Sequence, residues 1–313
     1  MTGLHSSSHT VDVVIPAYNA ENFITKTLES VAKQSYPIQS VIVVNDGSTD
    51  DTQACVLQFI QSFPHLNIIL INQENAGLSA ARNAGIRRSG ADYIALLDAD
   101  DLWSPEKLSN QVQLFSNSPM NYLGVVYCAY LLINEQDQLL PSTPKSVITP
   151  ALRGNVHHKL LLGNFISGSG SSVLIKRSVF SEIGLFDEDL RACEDWDMWM
   201  RIAKKYQFDF INEPLVSIRV HQNNMQKDVM RMLSAELMVL NKFTECGEEN
   251  TFLLWKIRTY LINRGLSASS IPGFEKCCSK LQSQLRGWRM DLTTTLLTPL
   301  RTLVNIYLNQ KHK

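Results

Sequence analysis

Two aspartates spaced two residues apart are the residues of this chain best suited to chemistry. Asp98 and Asp100 follow the apolar run Tyr93–Leu97, which is typical of a buried strand. Because alternate side chains of a strand share a face, the two carboxylates can converge at its carboxyl end. Converging carboxylates repel each other unless a cation or another partner neutralises them. The spacing therefore fits a divalent ion that also binds phosphate, or a plain acidic loop in which Asp101 or Ser104 caps the next helix.

A second acidic pair, Glu194 and Asp195, opens a predicted amphipathic helix. The partial positive charge at a helix amino terminus favours the charged form of a carboxylate. Such a residue could act as a base that is ionised at neutral pH, or it could simply cap the helix. Arg219 and His221 lie two apart on a predicted strand, so their side chains share one face. That face either meets phosphate or faces solvent.

The elements that must position these residues alternate between apolar strands and amphipathic helices. This alternation is typical of a parallel sheet covered on both faces, whose ligands bind beyond the carboxyl ends of the strands. Three polar segments fall at such ends: Pro16-Ala17-Tyr18, Asp46-Gly47-Ser48 and Asp98-Ala99-Asp100. The predicted strands are Val11–Pro16, Ser40–Val44, Leu66–Ile71 and Tyr93–Leu97, and the predicted helices are Ala20–Gln34, Thr52–Phe63 and Leu78–Arg88.

The rest of the chain is less regular, and its composition changes near residue 225. Further strands are predicted at Leu123–Ile133, Val173–Ile175 and Pro214–His221, and a helix is predicted at Glu194–Tyr206. Trp196 and Trp199 are expected in the core, although one of them could line a sugar site. Helical patterns dominate residues 226–313. Leucines recur at helical spacing from Leu292 to Leu303, and that helix either docks on the core or a second subunit or lies on the inner membrane surface.

Composition places the chain among ordinary globular proteins. It has 313 residues, of which 44% are hydrophobic and 19% charged, and its net charge of -1 gives no reason to expect nucleic acid as a partner. The six cysteines form no Cys-x-x-Cys pair, which favours free thiols in a reducing cytoplasm. Residues 1–10 lack a hydrophobic signal region, and no apolar run is long enough to span a bilayer. We therefore expect a cytoplasmic location.

Five motifs occur in a specific order along the chain. They are Val14–Asn19, Val44–Asp50, Asn75–Asn83, Leu97–Asp101 and Glu194–Asp197. Together they resemble the family 2 glycosyltransferases over about residues 11–222. The resemblance implies the α/β fold called GT-A, which has a mainly parallel central sheet flanked by helices, and here a helical C-terminal extension.

The domain organisation expected from this resemblance has three parts. Residues 1–10 form a disordered N-terminus, residues 11–225 the GT-A domain, and residues 226–313 a helical C-terminal region. Within the GT-A domain, residues 11–103 are the Rossmann-like half that binds the nucleotide sugar, and residues 104–225 are the half that binds the acceptor.

The resemblance also implies an inverting transfer of sugar from a nucleoside-diphosphate sugar, expected to be UDP-linked, to a hydroxyl acceptor on a glycan or lipid-linked glycan. Pro16, Ala17 and Tyr18 would form a wall of the nucleotide pocket, unless Pro16 only ends a strand and Tyr18 packs under a loop. Asp46 would accept the imide N–H of the base, although an Asx turn is equally good chemistry for Asp-Gly-Ser. Arg82 would reach the base or the diphosphate, or else lie exposed on its helix.

The catalytic roles implied by the resemblance fall on four acidic or basic residues. Asp98 would lie near the ribose or a metal-bound water. Asp100 would bind Mn²⁺ or Mg²⁺, with His221 as a further contact to the metal. Asp195 would deprotonate the acceptor hydroxyl, with Glu194 as the alternative base.

Two rival functions remain open at this point. One is a non-catalytic scaffold that binds nucleotide sugars on the same fold. The other is a nucleotidyltransferase, which would want a glycine-rich basic phosphate loop after the first strand. The segment Pro16–Asn19 lacks such a loop.

Overall fold

The computed structural model describes residues 9–140, 147–161, 163–166, 168, 170–221 and 229–243. The chain divides into two units, residues 1–243 and 244–313, and every described residue lies in the first. Most of the predicted disordered segment 1–10 and all of the leucine pattern at 292–303 fall outside the described residues. The boundary expected at residue 225 stays a prediction.

The first hundred residues alternate strand and helix as predicted. The strands are β1 (Val11–Ala17), β2 (Ser40–Asp46), β3 (Ile68–Gln73) and β4 (Tyr93–Leu96), and the helices are α1 (Ile24–Ala32), α2 (Thr52–Ser62) and α3 (Leu78–Arg88). Helix α1 begins four residues after the predicted start at Ala20. The reason is that the N–H of Ala20 donates to the Thr52 hydroxyl and that of Glu21 to the Asp50 carboxylate, which holds this segment against the next loop.

The second part of the domain mixes short and long elements. Its strands are β5 (Leu102–Trp103), β6 (Leu123–Ile133), β7 (Val147–Ile148), β8 (Leu174–Lys176) and β9 (Gln207–Arg219), and its helices are α4 (Lys107–Asn117), α5 (His157–Leu160), α6 (Arg177–Ile183), α7 (Glu194–Ala203) and α8 (Val229–Phe243). Strand β6 has the predicted bounds. Strand β9 begins earlier than predicted because it pairs with all of β6, and Pro214 is accommodated at a shift of register beside Ala129.

The described strands form one mixed sheet. Its order is β3-β2-β1-β4-β8-β6-β9-β5, with β7 also paired to β6. The first four strands are parallel, β8 is antiparallel to both β4 and β6, and β9 is parallel to β6. Strand β5, which directly follows the acidic loop after β4, pairs with the end of β9 at the opposite edge. The acidic loop is therefore held by strands that lie far apart in the sequence.

Three of the four parallel strands, β1, β2 and β4, are buried as their continuous apolar residues predicted, whereas the edge strand β3 is only partly buried. Every residue of β1 and β2 is buried. Helix α3 packs against these two strands, and a Cβ added at Gly85 would lie only 2.3 Å from a methyl of Val14. Glycine at this position thus permits the close approach of helix and sheet. Across the described ranges, every helix is too short or too polar for a transmembrane span.

Candidate active site

The loops after β1 and β2 are joined by hydrogen bonds beyond the carboxyl ends of these two strands. The N–H of Asn19 donates to the Ser48 hydroxyl at 3.0 Å, and the N–H of Thr49 donates to the Asn19 side chain at 2.8 Å. Tyr18 exposes 53% of its surface, so the alternative in which it packs under a loop is wrong. Pro16 and Ala17 lie buried at the end of β1. Their contribution to a nucleotide pocket stays a prediction.

Asp46 is buried at the end of β2, and its carboxylate organises the start of α3. It accepts hydrogen bonds from the backbone N–H of Ala76 at 2.9 Å, the N–H of Gly77 at 2.8 Å and the side chain of Gln73 at 2.7 Å. The Asx turn toward Ser48 belongs to Asn45 instead. A carboxylate has about four acceptor sites, so roughly one remains after these three bonds. Contact with a base therefore stays a prediction for Asp46.

Gly47 has the backbone conformation that this close packing requires. Its φ is +72°, and a Cβ added there would lie 2.7 Å from the backbone nitrogen of Asn75. Only glycine adopts this conformation at no steric cost. The turn thus lets Asp46 reach the residues before α3.

Arg82 is completely buried, so the alternative of an exposed helical arginine is wrong. One guanidinium nitrogen binds the carboxylate of Asp98 at 2.7 Å, and the other binds that of Glu194 at 2.7 Å. The guanidinium also lies over the ring of Phe186, 5.4 Å from its centroid. Burial alone would lower the pKa of Arg82, but the two carboxylates outweigh it and raise that pKa. Contact of Arg82 with a base or diphosphate stays a prediction.

Asp101 is buried and stabilises the acidic loop through hydrogen bonds. The expectation that it caps the next helix is wrong. Its carboxylate accepts the Ser171 hydroxyl at 2.5 Å and the backbone N–H of Arg219 at 2.9 Å. The Ser171 hydroxyl also accepts the N–H of Asp98 at 3.0 Å. Burial, with the charges of Asp100 and Asp98, raises the pKa of Asp101. The pairing of β5 with β9 is what brings these groups together.

Asp100 faces His221, the other residue that the resemblance named as a metal contact. The His221 Nε2 and Asp100 Oδ2 atoms are 2.8 Å apart, and both side chains keep some exposure to solvent. Arg219, however, does not share that open face. Its buried side chain binds the backbone oxygens of Asp100 and Asn134 and the carboxylate of Asp137. Both expectations for Arg219, a phosphate contact and a solvated face, are therefore wrong for the structure as it stands.

The donor set at Asp100 and His221 fits a divalent ion that is completed by substrate. Within the described ranges, no group of three or more His, Cys, Asp or Glu side chains could form a cage for a metal ion. Mg²⁺ ions usually use one or two protein carboxylates together with waters and substrate phosphates, with ligands at about 2.1 Å. In octahedral geometry, neighbouring ligands at that distance lie about 3 Å apart. The Asp100 Oδ2 and His221 Nε2 atoms are at hydrogen-bond distance, 2.8 Å, so an ion held by both residues would replace this hydrogen bond.

Asp195 lies in the first turn of α7, and both of its carboxylate oxygens accept hydrogen bonds. The Asn164 side chain donates to one oxygen at 2.9 Å, and the N–H of Trp196 donates to the other at 2.7 Å. Burial and the neighbouring Glu194 charge raise the pKa of Asp195 to about 7, although Arg82 and the two hydrogen bonds oppose the shift. The sequence suggested that the helix terminus would favour the ionised form of Asp195. Its pKa is raised instead, so that expectation is wrong. A pKa near 7 suits general-base chemistry at neutral pH.

Asn164 is a residue in contact with Asp195 that the sequence did not reveal. It lies 31 positions before Asp195, in an irregular segment without a recognisable motif. The tryptophans of α7 are both buried, and the Trp196 ring nitrogen donates to the backbone oxygen of Leu160. The alternative that one of them forms a sugar platform is wrong, whereas Phe165, next to Asn164, exposes 45% of its surface.

The sequence is similar to that of known sugar transferases. The family model described as glycosyl transferase family 2 matches residues 12–184, a range that includes Asp98 and Asp100 and ends before Asp195. The chain is 30% identical over 223 residues to an uncharacterised glycosyltransferase of Rickettsia typhi, covering 71% of this chain and 68% of that protein. Across five rickettsial relatives, the chain spans between 31% and 68% of their length.

An activity is stated for another relative, and a solved structure shares the fold. The chain is 28% identical to an Escherichia coli protein named UDP-Glc:alpha-D-GlcNAc-diphosphoundecaprenol beta-1,3-glucosyltransferase, covering 75% of this chain and 87% of that one. A mannosyltransferase of Pyrobaculum calidifontis, solved in complex with GDP-Man and Mn²⁺, superposes with a TM-score of 0.60 at 19% identity. That match covers 97% of this chain and 81% of the other. The predicted GT-A fold is confirmed.

Proposed function

The chain belongs to glycosyl transferase family 2, and we propose that it moves a sugar from a nucleoside-diphosphate sugar to an acceptor hydroxyl with inversion at the anomeric carbon. The observation that carries the proposal is the linked acidic cluster. Arg82 connects Asp98, in the loop that also contains Asp100, to Glu194, whose neighbour is Asp195. Carboxylates suited to a diphosphate-bound ion and a carboxylate suited to a base thus belong to one network.

Asp195 is the general base of the proposed reaction. It takes the proton of the acceptor hydroxyl as the acceptor oxygen bonds to the anomeric carbon. The bond from that carbon to the diphosphate oxygen breaks, and the nucleoside diphosphate leaves with the bonding electrons. A single base and a single in-line displacement give inversion, through a transition state with oxocarbenium character. The hydrogen bonds from Asn164 and Trp196 fix the carboxylate that receives the proton.

Asp100 and His221 are the residues that would hold Mn²⁺ or Mg²⁺. When bound, such an ion offsets the negative charge that builds on the leaving diphosphate. Asp98, held by Arg82, lies on the same loop and would orient the ribose or a water on the ion. The Mn²⁺ in the P. calidifontis mannosyltransferase supports this assignment by analogy of fold.

One relative supports the donor and acceptor classes that we propose. The E. coli relative, named for UDP-Glc and a diphosphoundecaprenol-linked acceptor, supports a UDP-sugar and a lipid-linked glycan in polysaccharide or glycolipid assembly. Pro16, Ala17, Tyr18 and Asp46 are the proposed nucleotide contacts. A peripheral contact with the inner membrane through the C-terminal helices would bring the protein to such an acceptor.

The test is release of free nucleoside diphosphate by the purified full chain. It is incubated with Mn²⁺ and a panel of UDP-, GDP- and dTDP-sugars, with and without a polyprenyl-diphosphate-linked sugar. We expect one donor to be turned over, and we expect the turnover to be lost on chelation and in Asp100→Ala. The matched control is Asp92→Asn, an exposed carboxylate just before β4, which should retain turnover.

Three outcomes are distinguishable in that experiment. Turnover of a UDP-sugar that depends on Asp100 supports the proposal. Binding of a nucleotide sugar by calorimetry without turnover under any condition would favour the non-catalytic scaffold. Failure of every nucleotide to bind would overturn the proposed donor class.

A further inference from the structure

The buried arginine at the centre of the acidic cluster has a task that its place in the family motif does not specify. We propose that Arg82 is a positioning residue that locks the acidic loop after β4 to the start of helix α7 and so orients the base Asp195. The inference rests on the function proposed above. It concerns how Asp195 is held, because Arg82 touches two protein carboxylates and neither of them is the base itself.

The geometry of the two ion pairs supports a lock between separate elements. Arg82 belongs to α3, whereas its partners lie 16 and 112 positions away, in the loop after β4 and in α7. Both nitrogen–oxygen distances are 2.7 Å. A guanidinium is a rigid planar fork, so two carboxylates bound to it are fixed relative to each other. A lysine, whose ammonium is a single point, cannot reproduce that constraint.

The packing around the Arg82 guanidinium excludes water and leaves the side chain no room to move. Phe186 covers it on one side, and a Cβ added at Gly170 would lie 3.2 Å from one of its nitrogens. Arg82 itself has no exposed surface. Removing one partner of a buried ion pair leaves an uncompensated charge, so each member depends strongly on the others.

The charges that face Asp195 give the lock a measurable signature. Glu194 on α7 is the like charge beside it, and Arg82 on α3 is the opposite charge that offsets it. Among the described residues, the neutral Asn164 amide and the Trp196 N–H also contact Asp195, while Asp98 is paired with Arg82. Removing the Glu194 charge favours ionised Asp195, and removing the Arg82 charge disfavours it. The two changes must therefore move its titration in opposite directions.

The experiment measures the pH dependence of kcat for the full chain and its variants. In Glu194→Gln, the acid limb of the profile should move to lower pH by about one unit, and in Arg82→Gln it should move to higher pH by a similar amount. Arg82→Lys, which keeps the charge without the fork, should return the limb toward that of the unsubstituted chain while kcat stays at least about tenfold lower. The matched control is Arg201→Lys, which alters an ion pair with Asp197 on the same helix and should leave the limb in place.

The outcomes separate this inference from the proposed function. If the unsubstituted chain transfers sugar but Glu194→Gln and Arg82→Gln move the limb in the same direction or not at all, the lock is refuted and the function stands. If no donor is turned over, the function fails, and the lock is then tested by ¹³C NMR titration of the carboxyl groups. The Asp195 signal, identified by its absence in Asp195→Asn, should show the same opposite shifts, and unshifted titration in both variants would refute the lock.

Discussion

The two acidic pairs of this molecule begin with similar chemistry and are placed by different kinds of element. Asp98 and Asp100 belong to a loop that follows a buried strand, whereas Glu194 and Asp195 open a helix. In each pair, Arg82 binds the first member and leaves the second member to another partner. The buried guanidinium of Arg82 thus pairs with one carboxylate of each acidic pair, and the other carboxylate of each pair contacts a different group.

Asp100 and Asp195, the two carboxylates that Arg82 does not bind, have different partners. Asp100 is 2.8 Å from the His221 ring, which can also bind a metal, so this carboxylate is suited to hold positive charge. Asp195 accepts bonds from a neutral amide and a backbone N–H, and its pKa is raised to about 7, so it is suited to take a proton. Asp100 and Asp195 are the same residue type, so the chemistry to which each is suited depends on its partners.

The largest effect is expected when the proton acceptor is removed. Asp195→Asn keeps the shape of the side chain but cannot accept the acceptor's proton, so kcat should fall about 10³-fold while the dissociation constant for UDP or UDP-sugar stays within about twofold. Steady-state transfer assays and calorimetry measure the two quantities. Asp189→Asn, an exposed carboxylate before α7, is the control. Near-normal transfer by Asp195→Asn would mean that another group, with Glu194 the first candidate, is the base.

A smaller loss is expected at the other available carboxylate. Asp100→Asn removes a charged ligand of the proposed ion, so kcat should fall about 10²-fold at a fixed low Mn²⁺ concentration. Raising Mn²⁺ should recover part of the rate, because the site is weakened and not destroyed. The measurement is the activity as a function of Mn²⁺ concentration. If Asp100→Asn leaves this dependence unchanged, Asp100 does not bind the ion, and its proposed difference in role from Asp195 is wrong.

The raised pKa of Asp195 gives a third prediction, on pH. A base must be ionised, and burial and Glu194 raise its pKa to about 7. The transfer rate should therefore increase with pH through about 7 and fall about tenfold for each unit below it, down to the residual rate of Asp195→Asn. A rate profile that is flat between pH 5 and 8 would contradict the assignment of this carboxyl as the base.

The smallest effect should come from the neutral partner of the base. Asn164→Ala removes one hydrogen bond to the ionised carboxylate, which corresponds to about a tenfold loss of kcat or less. Because that bond favours the charged form, the acid limb of the pH profile should also move upward. Asn110→Ala, which changes a half-buried amide on α4 remote from Asp195 in the sequence, should change neither quantity. If Asn164→Ala behaves like this control, the amide does not hold the base during turnover.

The sequence could predict the parts of the fold that depend on local pattern. Continuous apolar residues defined the buried strands, and β6 has the bounds that its hydrophobic run indicated. The resemblance named both Asp100 and His221 as metal contacts, and the structure brings these two side chains together. In these cases, the information lies within a few residues or within a known motif.

The contacts that were missed join residues that are far apart in the chain. The sequence offered a nucleotide contact or an exposed helix face for Arg82 and not a buried double ion pair, because its two carboxylate partners are 16 and 112 positions away. Asp101 looked like a helix cap, because nothing near it shows that the N–H of Arg219 will reach its carboxylate. Tertiary contacts overrode local preference at both positions.

The pairing of β5 with β9 has a consequence in time. Arg219 is 118 residues beyond Asp101, and at roughly 5 to 20 residues per second its synthesis follows that of Asp101 by about 6 to 24 s. During that interval, the nascent amino-terminal half can form its parallel strands but not the hydrogen bond between Arg219 and Asp101. The acidic loop after β4 is thus among the last parts of the domain to be finished on the ribosome, and a chain that stops before β9 leaves it incomplete.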